Sequence, residues 1–495
     1  MKRLSGILLC VMAVLLVISG CAQDGTDTSS ANVSEISESP QRSMLKEHMG
    51  ERDMDGFELR ILATSKELAF CEAQYVPSEL TGDPVNDAVY ERNNILEELY
   101  NCKLSVIFVD PHATVEDKVR NDTMAGDVDY NVVSTGVSSL SALAVSGAFT
   151  DLYSIEDSNL CLYEEWWDQQ AVKQLSIDNK LFFACGDILF TDDERTHMLF
   201  FNKGLIEENE LEDPYRLVRD NEWTLDVLHE MVRAAAKDAG DGQMDVDSGD
   251  TWGYIGAAFD CYKFILGCNA TMVTKDENDI PVISVMEEKN VEAFEKAFSL
   301  ITDSQHAAYI DHFFSWDDAA GRVKFFDQFY NGKALFCADN ICALNSEKML
   351  NSDVDYGVLP LPKYDSSQDN YACTIDPYWF TCVAIPRVEG IDTDKTTFLL
   401  EAMAYYNREN VTPLYYETTL KSKRLLDDSS EQMLDIIFSN RIMDLANIYN
   451  WNDCIQYYNS LVFMNSNGVV SYMEGKYSGM QQAMNETIEA FRKIS

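Results

Sequence analysis

Phe57-Glu58-Leu59-Arg60-Ile61-Leu62 alternates apolar and polar side chains and predicts a strand. Outward from it, Val85 to Leu99 carries Val89, Ile95, Leu96 and Leu99 at helical spacing. Lys103 to Val109 predicts a second strand, Val115 to Met124 a second helix, and Tyr130-Asn131-Val132-Val133 a third strand. Strands alternating with helices mean βαβ units around a mainly parallel sheet, so the fold class is α/β.

The pattern continues downstream. Leu181-Phe182-Phe183 and Met198-Leu199-Phe200-Phe201 read as strands, as do Ala334 to Cys337, Tyr356 to Leu359 and Cys382 to Ile385. Thr224 is a helix N-cap with Asp226 in the first turn, where an acid meets the helix dipole. Val291 to Ile301, Ala319 to Tyr330, Phe398 to Tyr406, Glu431 to Leu445 and Met480 to Phe491 add helices. No internal repeat recurs at a fixed period.

Upstream, Lys2 and Arg3 precede an apolar run from Ile7 to Ile18, then Ser19-Gly20-Cys21. The run is shorter than the ~20 residues that span a bilayer, and reads as a secretory signal. Ala22 to about Ser43 is almost free of apolar residues, so it predicts a flexible tether, with folding expected from near Asp55.

The 495-residue chain has a formal net charge of −45. Such acidity excludes a nucleic-acid partner, which needs a basic face, and disfavours lying flat on anionic lipid. A neutral or cationic ligand fits better than a polyanion. The 13 cysteines show no C-x-x-C spacing, and Cys185, Cys261, Cys373 and Cys382 sit in apolar runs. Buried free thiols are expected there rather than a disulfide framework.

Catalytic patterns break when tested. His229-Glu230 begins like a zincin helix, but Arg233 stands where the second His belongs. Gly332-Lys333-Ala334 lacks the rest of a phosphate loop, and Gly136-Val137-Ser138 lacks the second Gly of a nucleophile elbow. Two carboxylates suffice for a glycosidase, but among 83 acids no pair stands out. Asp238 to Asp247 has the flavour of a calcium loop around Gly242, yet Lys237 and Ala239 fall on ligand positions, so a plain acidic turn is expected. No cofactor or metal is implied.

Aromatic clusters are more telling. Glu165-Trp166-Trp167-Asp168, Phe313-Phe314-Ser315-Trp316-Asp317, Asp376-Pro377-Tyr378-Trp379 and Tyr449-Asn450-Trp451-Asn452-Asp453 each set a flat ring beside Asp or Asn. Sugars have apolar C–H faces ringed by hydroxyls, and such pairs suit them. The competing reading of any one ring is that it belongs to the core.

The chain resembles the carbohydrate-type (family 1) extracellular solute-binding proteins of bacterial ABC transporters. The resemblance rests on Asn86-Asp87-Ala88-Val89-Tyr90-Glu91-Arg92-Asn93, on Phe201-Asn202-Lys203 followed by Asp213-Pro214-Tyr215 and Glu222-Trp223-Thr224-Leu225-Asp226, and on Asp250-Thr251-Trp252-Gly253-Tyr254. It continues in Asn331-Gly332-Lys333-Ala334-Leu335-Phe336 and in Tyr356-Gly357-Val358-Leu359-Pro360-Leu361-Pro362-Lys363-Tyr364. Ile18-Ser19-Gly20-Cys21 likewise resembles a lipobox, in which Cys21 is lipidated.

The resemblance implies a two-lobed periplasmic-binding-protein-like (class II) fold with a hinge and an interlobe ligand cleft. Residues 1–20 would be signal and 21–54 lipidated cysteine and tether. Residues 55–200 with 375–408 would form one lobe, and 201–374 with 409–495 the other. Crossings are expected near Leu199–Asn202, near Val383–Pro386 and after Asn407. It also implies ABC permease subunits as partners, a lipid anchor on the extracellular face of the membrane, and solute capture by hinge closure without catalysis. The expected ligand contacts are Trp166, Asp187, Trp316, Asp376, Tyr378, Trp379 and Trp451. An extracellular glycoside-acting enzyme and a surface scaffold or adhesion lipoprotein are the alternatives.

Overall fold

The strand predicted from Phe57 spans Phe57–Ala63 in a computed structural model, which describes residues 39–64, 75–109, 112–421 and 427–494. The stretch read as a signal, Cys21 and most of the stretch read as a tether lie outside the described residues. Residues Gln41 onward form one unit holding two larger sheets.

The first sheet runs, in spatial order, Thr381–Ala384, Val132–Gly136, Phe57–Ala63, Cys102–Phe108. The last three are parallel, with Phe57 opposite Cys102 and Ile61 opposite Val132, and Thr381–Ala384 is antiparallel at the edge. Val132–Gly136 is buried at every position, as a strand covered on both faces must be. The second sheet runs Tyr356–Leu359, His197–Asn202, Ala334–Asn340, Trp252–Gly256, Ala307–Tyr309, with mixed directions.

The motifs that carry the resemblance turn out to be contact points. In the helix Pro84–Tyr100, Arg92 is fully buried and donates to Asn407 Oδ1 at 3.0 Å and to the Tyr75 carbonyl at 2.9 Å. Asn407 in turn donates Nδ2 to the Asp187 carbonyl at 2.8 Å. Elsewhere Trp223 Nε1 donates to the Pro360 carbonyl at 3.0 Å, and Leu225 N to the Lys363 carbonyl at 2.8 Å. Gly357 is required by close approach, because a Cβ there would lie 2.1 Å from the Tyr215 hydroxyl.

The chain passes from the first sheet to the second over residues 191–196, returns over 375–380, and passes again after Asn407 to the helix Asp428–Ser439, which packs on Tyr356–Leu359. The first two passages differ from expectation. Leu199–Asn202 lies inside the second sheet, and Val383 and Ala384 lie inside the first, so each passage precedes the expected position by several residues.

Three further expectations are corrected. Pro40–Met49, within the stretch read as tether, is a helix. Leu45 is buried there, Met44 and Met49 pack on the core, and His48 stacks on Tyr405 at 3.8 Å, so these side chains anchor the segment. Leu181–Phe183 is not a strand: Leu181 N donates to Asp151 Oδ1 and its carbonyl accepts from Leu152 N, so its backbone partners are loop groups. The helix expected over Glu431 to Leu445 stops at Ser439, and Arg441–Ile442 pairs instead with Cys373–Thr374.

Candidate functional site

In open α/β sheets, ligands sit off the carboxyl ends of the strands. In the first sheet that edge is marked by Ala63, Phe108 and Gly136. Gly136 leads straight into the helix Val137–Val145, whose first amides are satisfied by the return passage: Val137 N donates to the Phe380 carbonyl at 2.8 Å and Ser138 N to the Pro377 carbonyl at 3.2 Å. In the second sheet the same edge carries the ends of Trp252–Gly256, Ala307–Tyr309 and Ala334–Asn340, and the start of His197–Asn202.

The two passages meet between these edges. Thr196 bridges Ile375, and Asp376 N donates to the Arg195 carbonyl at 3.0 Å. The Arg195 guanidinium lies 5.9 Å from the centre of the Trp379 ring. Asp376 Oδ1 accepts from Tyr378 N at 2.9 Å and so shapes the turn that turns Tyr378 outward, leaving it 46% exposed.

Tyr378 and Trp451 line one cavity of about 490 Å³, together with Ser138, Asn447, Asn450, Asn452 and Glu486. The Asn450-Trp451-Asn452-Asp453 turn is built from left-handed residues, with φ of 46° at Asn450, 58° at Asn452 and 59° at Asp453. Asn and Asp tolerate that region better than other residues with a Cβ. Trp451 is only 3% exposed: it stacks on Tyr449 at 5.3 Å and donates Nε1 to Thr487 Oγ1 at 2.8 Å. Asn447 is buried, and its Oδ1 has no hydrogen-bond partner. Rings, amides and a carboxylate thus converge on one cavity, which suits a ligand with apolar faces and hydroxyl donors.

Trp316 stands on the corresponding edge of the second sheet. Its Nε1 donates to Asp311 Oδ1 at 2.7 Å, and Asp311 Oδ2 accepts from Ala258 N at 2.9 Å, so the carboxylate ties the ends of two strands together. Trp316 itself is 45% exposed. Just beyond the end of Trp252–Gly256, Lys263 pairs with Asp260 at 2.8 Å, and the Tyr254 hydroxyl donates to Asp260 Oδ2 at 2.6 Å.

Of the expected contacts, Trp316, Asp376 and Trp379 do not line the Tyr378 cavity, and two more lie elsewhere. Trp166 is 7% exposed in the hydrophobic core, its Nε1 donating to Glu401 Oε1 at 2.8 Å. Asp187 lines a separate cavity of about 200 Å³ with Asp168, Asp192, Asp193, Arg408 and Arg441. Burial pushes the Asp187 carboxyl up to about 7, against the lowering effect of the Thr412 hydroxyl, which donates to it at 2.7 Å, and of Arg408 at 3.6 Å. Asp168, Cys185 and Asp192 bring three potential metal-ligand atoms within 4.8 Å of one another. The Arg441 guanidinium already supplies positive charge there, at 2.6 Å from Asp168 and 2.5 Å from Asp193.

The acidic turn is occupied by its own backbone. Asp238 accepts from the amides of Gly240 and Gly242, and Asp250 from those of Ala239 and Asp245. His229 and Arg233 both bond Asp303, at 3.0 Å and 2.9 Å.

Asn447 and Arg195 were not singled out from the sequence, and Ser138 only as part of a nucleophile elbow that fails. Ser138 had one usable signal, its place just after the third strand of the first sheet. Asn447 and Arg195 had none, since their position depends on passages that meet only in the fold.

No family model matches this chain, and no curated protein matches it. Solved structures do. UspC from M. tuberculosis superposes with a TM-score of 0.54 at 14% identity, covering 88% of this chain and 100% of that one. A cyclo/maltodextrin-binding protein complexed with maltotetraose gives 0.53 at 14% identity, covering 88% and 96%. The ABC substrate-binding protein Lmo0181 from Listeria monocytogenes, in complex with cycloalternan, gives 0.50 at 14% identity, covering 89% and 99%. The fold is therefore the two-lobed α/β fold that these structures share.

Proposed function

We propose that this protein is an extracellular solute-binding lipoprotein. It captures a small neutral solute, a sugar or oligosaccharide, between its lobes and delivers it to an ABC permease. One observation carries the reading: Tyr378, on the return passage, and the Asn450-Trp451-Asn452 turn open onto the same 490 Å³ cavity. Rings for stacking and amides for hydroxyls are the chemistry a sugar needs. The solved structures similar in fold include proteins in complex with maltotetraose and cycloalternan, which agrees with that chemistry.

Closure about the passages at 191–196 and 375–380 would bring the Trp316 edge toward Tyr378, as in hinge closure around a ligand. Lipidation of Cys21 would hold the chain at the outer face of the membrane, and its acidity would keep it off anionic lipid. Titration calorimetry against a panel of oligosaccharides tests the reading, with sugar analysis after incubation. Saturable binding with the sugar recovered intact is expected. Cleavage by the pure protein would replace the receptor by a glycoside-acting enzyme, and the absence of binding across the panel would remove sugars as the ligand class. Cys21→Ala should release the protein to the medium with binding unchanged; retention on the membrane would refute the anchor.

A further inference from the structure

Ala184 and Val383 exchange both backbone hydrogen bonds, at 3.0 Å and 2.8 Å, as an antiparallel bridge between the segment before Gly186 and the strand Thr381–Ala384. One step along this pairing, Cys185 stands directly opposite Cys382. Positions flanking a doubly bonded pair are non-hydrogen-bonded, with Cα atoms about 4.5 Å apart. That separation lies within the range a disulfide spans, about 4.4–6.8 Å, and side chains directly opposite each other share a face. The two thiols interact with each other, and both cysteines are buried. The other described cysteines are free as well.

We propose that Cys185 and Cys382 form a cross-strand disulfide when the chain folds in the presence of a disulfide oxidant. Its place in the topology gives it a purpose. The chain leaves the first lobe just after Cys185 and returns just before Cys382. Every strand of the second sheet lies between them in sequence. The bond would staple the departure and return of the chain at the root of both passages while leaving the passages themselves free to bend. Closing so long a segment restricts the unfolded chain most.

The chemistry balances by thiol–disulfide exchange. One cysteine loses its proton and attacks a small-molecule disulfide such as oxidised glutathione, releasing one glutathione thiol and forming a mixed disulfide. The second cysteine attacks that bond, forming the Sγ–Sγ bond and releasing the second glutathione thiol. Two protein thiols are oxidised and one disulfide is reduced. Burial raises both thiols above their usual range, so the bond forms during folding, before the strands close over it, rather than in the finished fold. Export, as proposed above, would place the chain where such an oxidant is present, but the pairing itself does not depend on export or on the ligand.

The test is to unfold and reduce the full chain, refold it in mixed oxidised and reduced glutathione, alkylate it and map its peptides without reduction. A linked peptide joining Cys185 to Cys382 is expected, with Tm at least ~3 °C above that of protein refolded under reductant. That difference should vanish in Cys382→Ala and in Cys185→Ala. Alkylation of both cysteines in the refolded chain, or linkage of either to another cysteine, would overturn the proposal. Peptide mapping of the unmodified chain needs no variant to fold.

Discussion

Trp166 Nε1 donates to Glu401 Oε1 at 2.8 Å, and the neighbouring Trp167 donates its own Nε1 to Glu401 Oε2 at 2.9 Å. A single buried carboxylate, which also accepts from Cys161 N at 3.0 Å, holds both indoles in the hydrophobic core. Glu401→Ala leaves two buried indole donors and the part-buried Cys161 amide without this acceptor and should cost about 3 kcal/mol of stability. Urea unfolding measures the loss, and solute affinity of the folded protein should be unchanged. A variant as stable as the parent would show the carboxylate to be dispensable.

The exposed and buried rings of the candidate cavity should behave differently. Tyr378→Ala removes a ring already half in solvent, so it should weaken solute binding roughly tenfold with little change in Tm. Trp451→Ala removes a buried ring and its bond to Thr487, so it should lower stability by about 3–5 kcal/mol as well as affinity. Calorimetry and thermal melts read the two effects separately. Full affinity in both Tyr378→Ala and Trp316→Ala would place the ligand elsewhere.

Asp187 makes stability fall as pH rises. Burial raises its folded-state pKa to about 7, from 3.8, so the folded chain holds a proton that the unfolded chain has lost. The contribution is complete at pH near 4 and is lost as pH rises through about 7. Asp193, Arg408, Arg441 and the Thr412 hydroxyl face this carboxyl. Asp187→Asn keeps an acceptor for Thr412 and removes the titration. Its Tm should therefore gain on the parent between pH 4 and pH 8; parallel melting profiles would contradict the assignment.

Asp303 acts in the opposite sense. Burial would raise it, but hydrogen bonds from Arg233, His306 and His229 outweigh burial and hold the carboxyl down to about 2. A depressed carboxylate contributes stability above pH 4, and loses it as pH falls through 2. Asp303→Asn should melt below the parent at pH 6, with the gap closing by pH 2. A gap that stays constant with pH would show that the carboxylate's charge is not what matters.

The sequence by itself determined the α/β class, because hydrophobic period is local: the alternation from Phe57, the helical spacing from Val85 and the Thr224 cap need only near neighbours. Thr224 does cap the helix Leu225–Ala235, accepting from Val227 N at 3.3 Å. Ring-beside-acid clusters were legible too, and two of the six residues they suggested, Tyr378 and Trp451, share the cavity. What the sequence could not do was separate Trp451 from Trp166. Both rings sit beside polar residues, but the fate of Trp166 is decided by Glu401 on a distant helix, and that of Trp451 by Thr487 and the left-handed turn around it. In the same way Leu181–Phe183 has strand composition, yet its backbone partners turned out to be loop groups. Burial, pairing and the meeting of the two passages are long-range properties, so only the tertiary structure decided them.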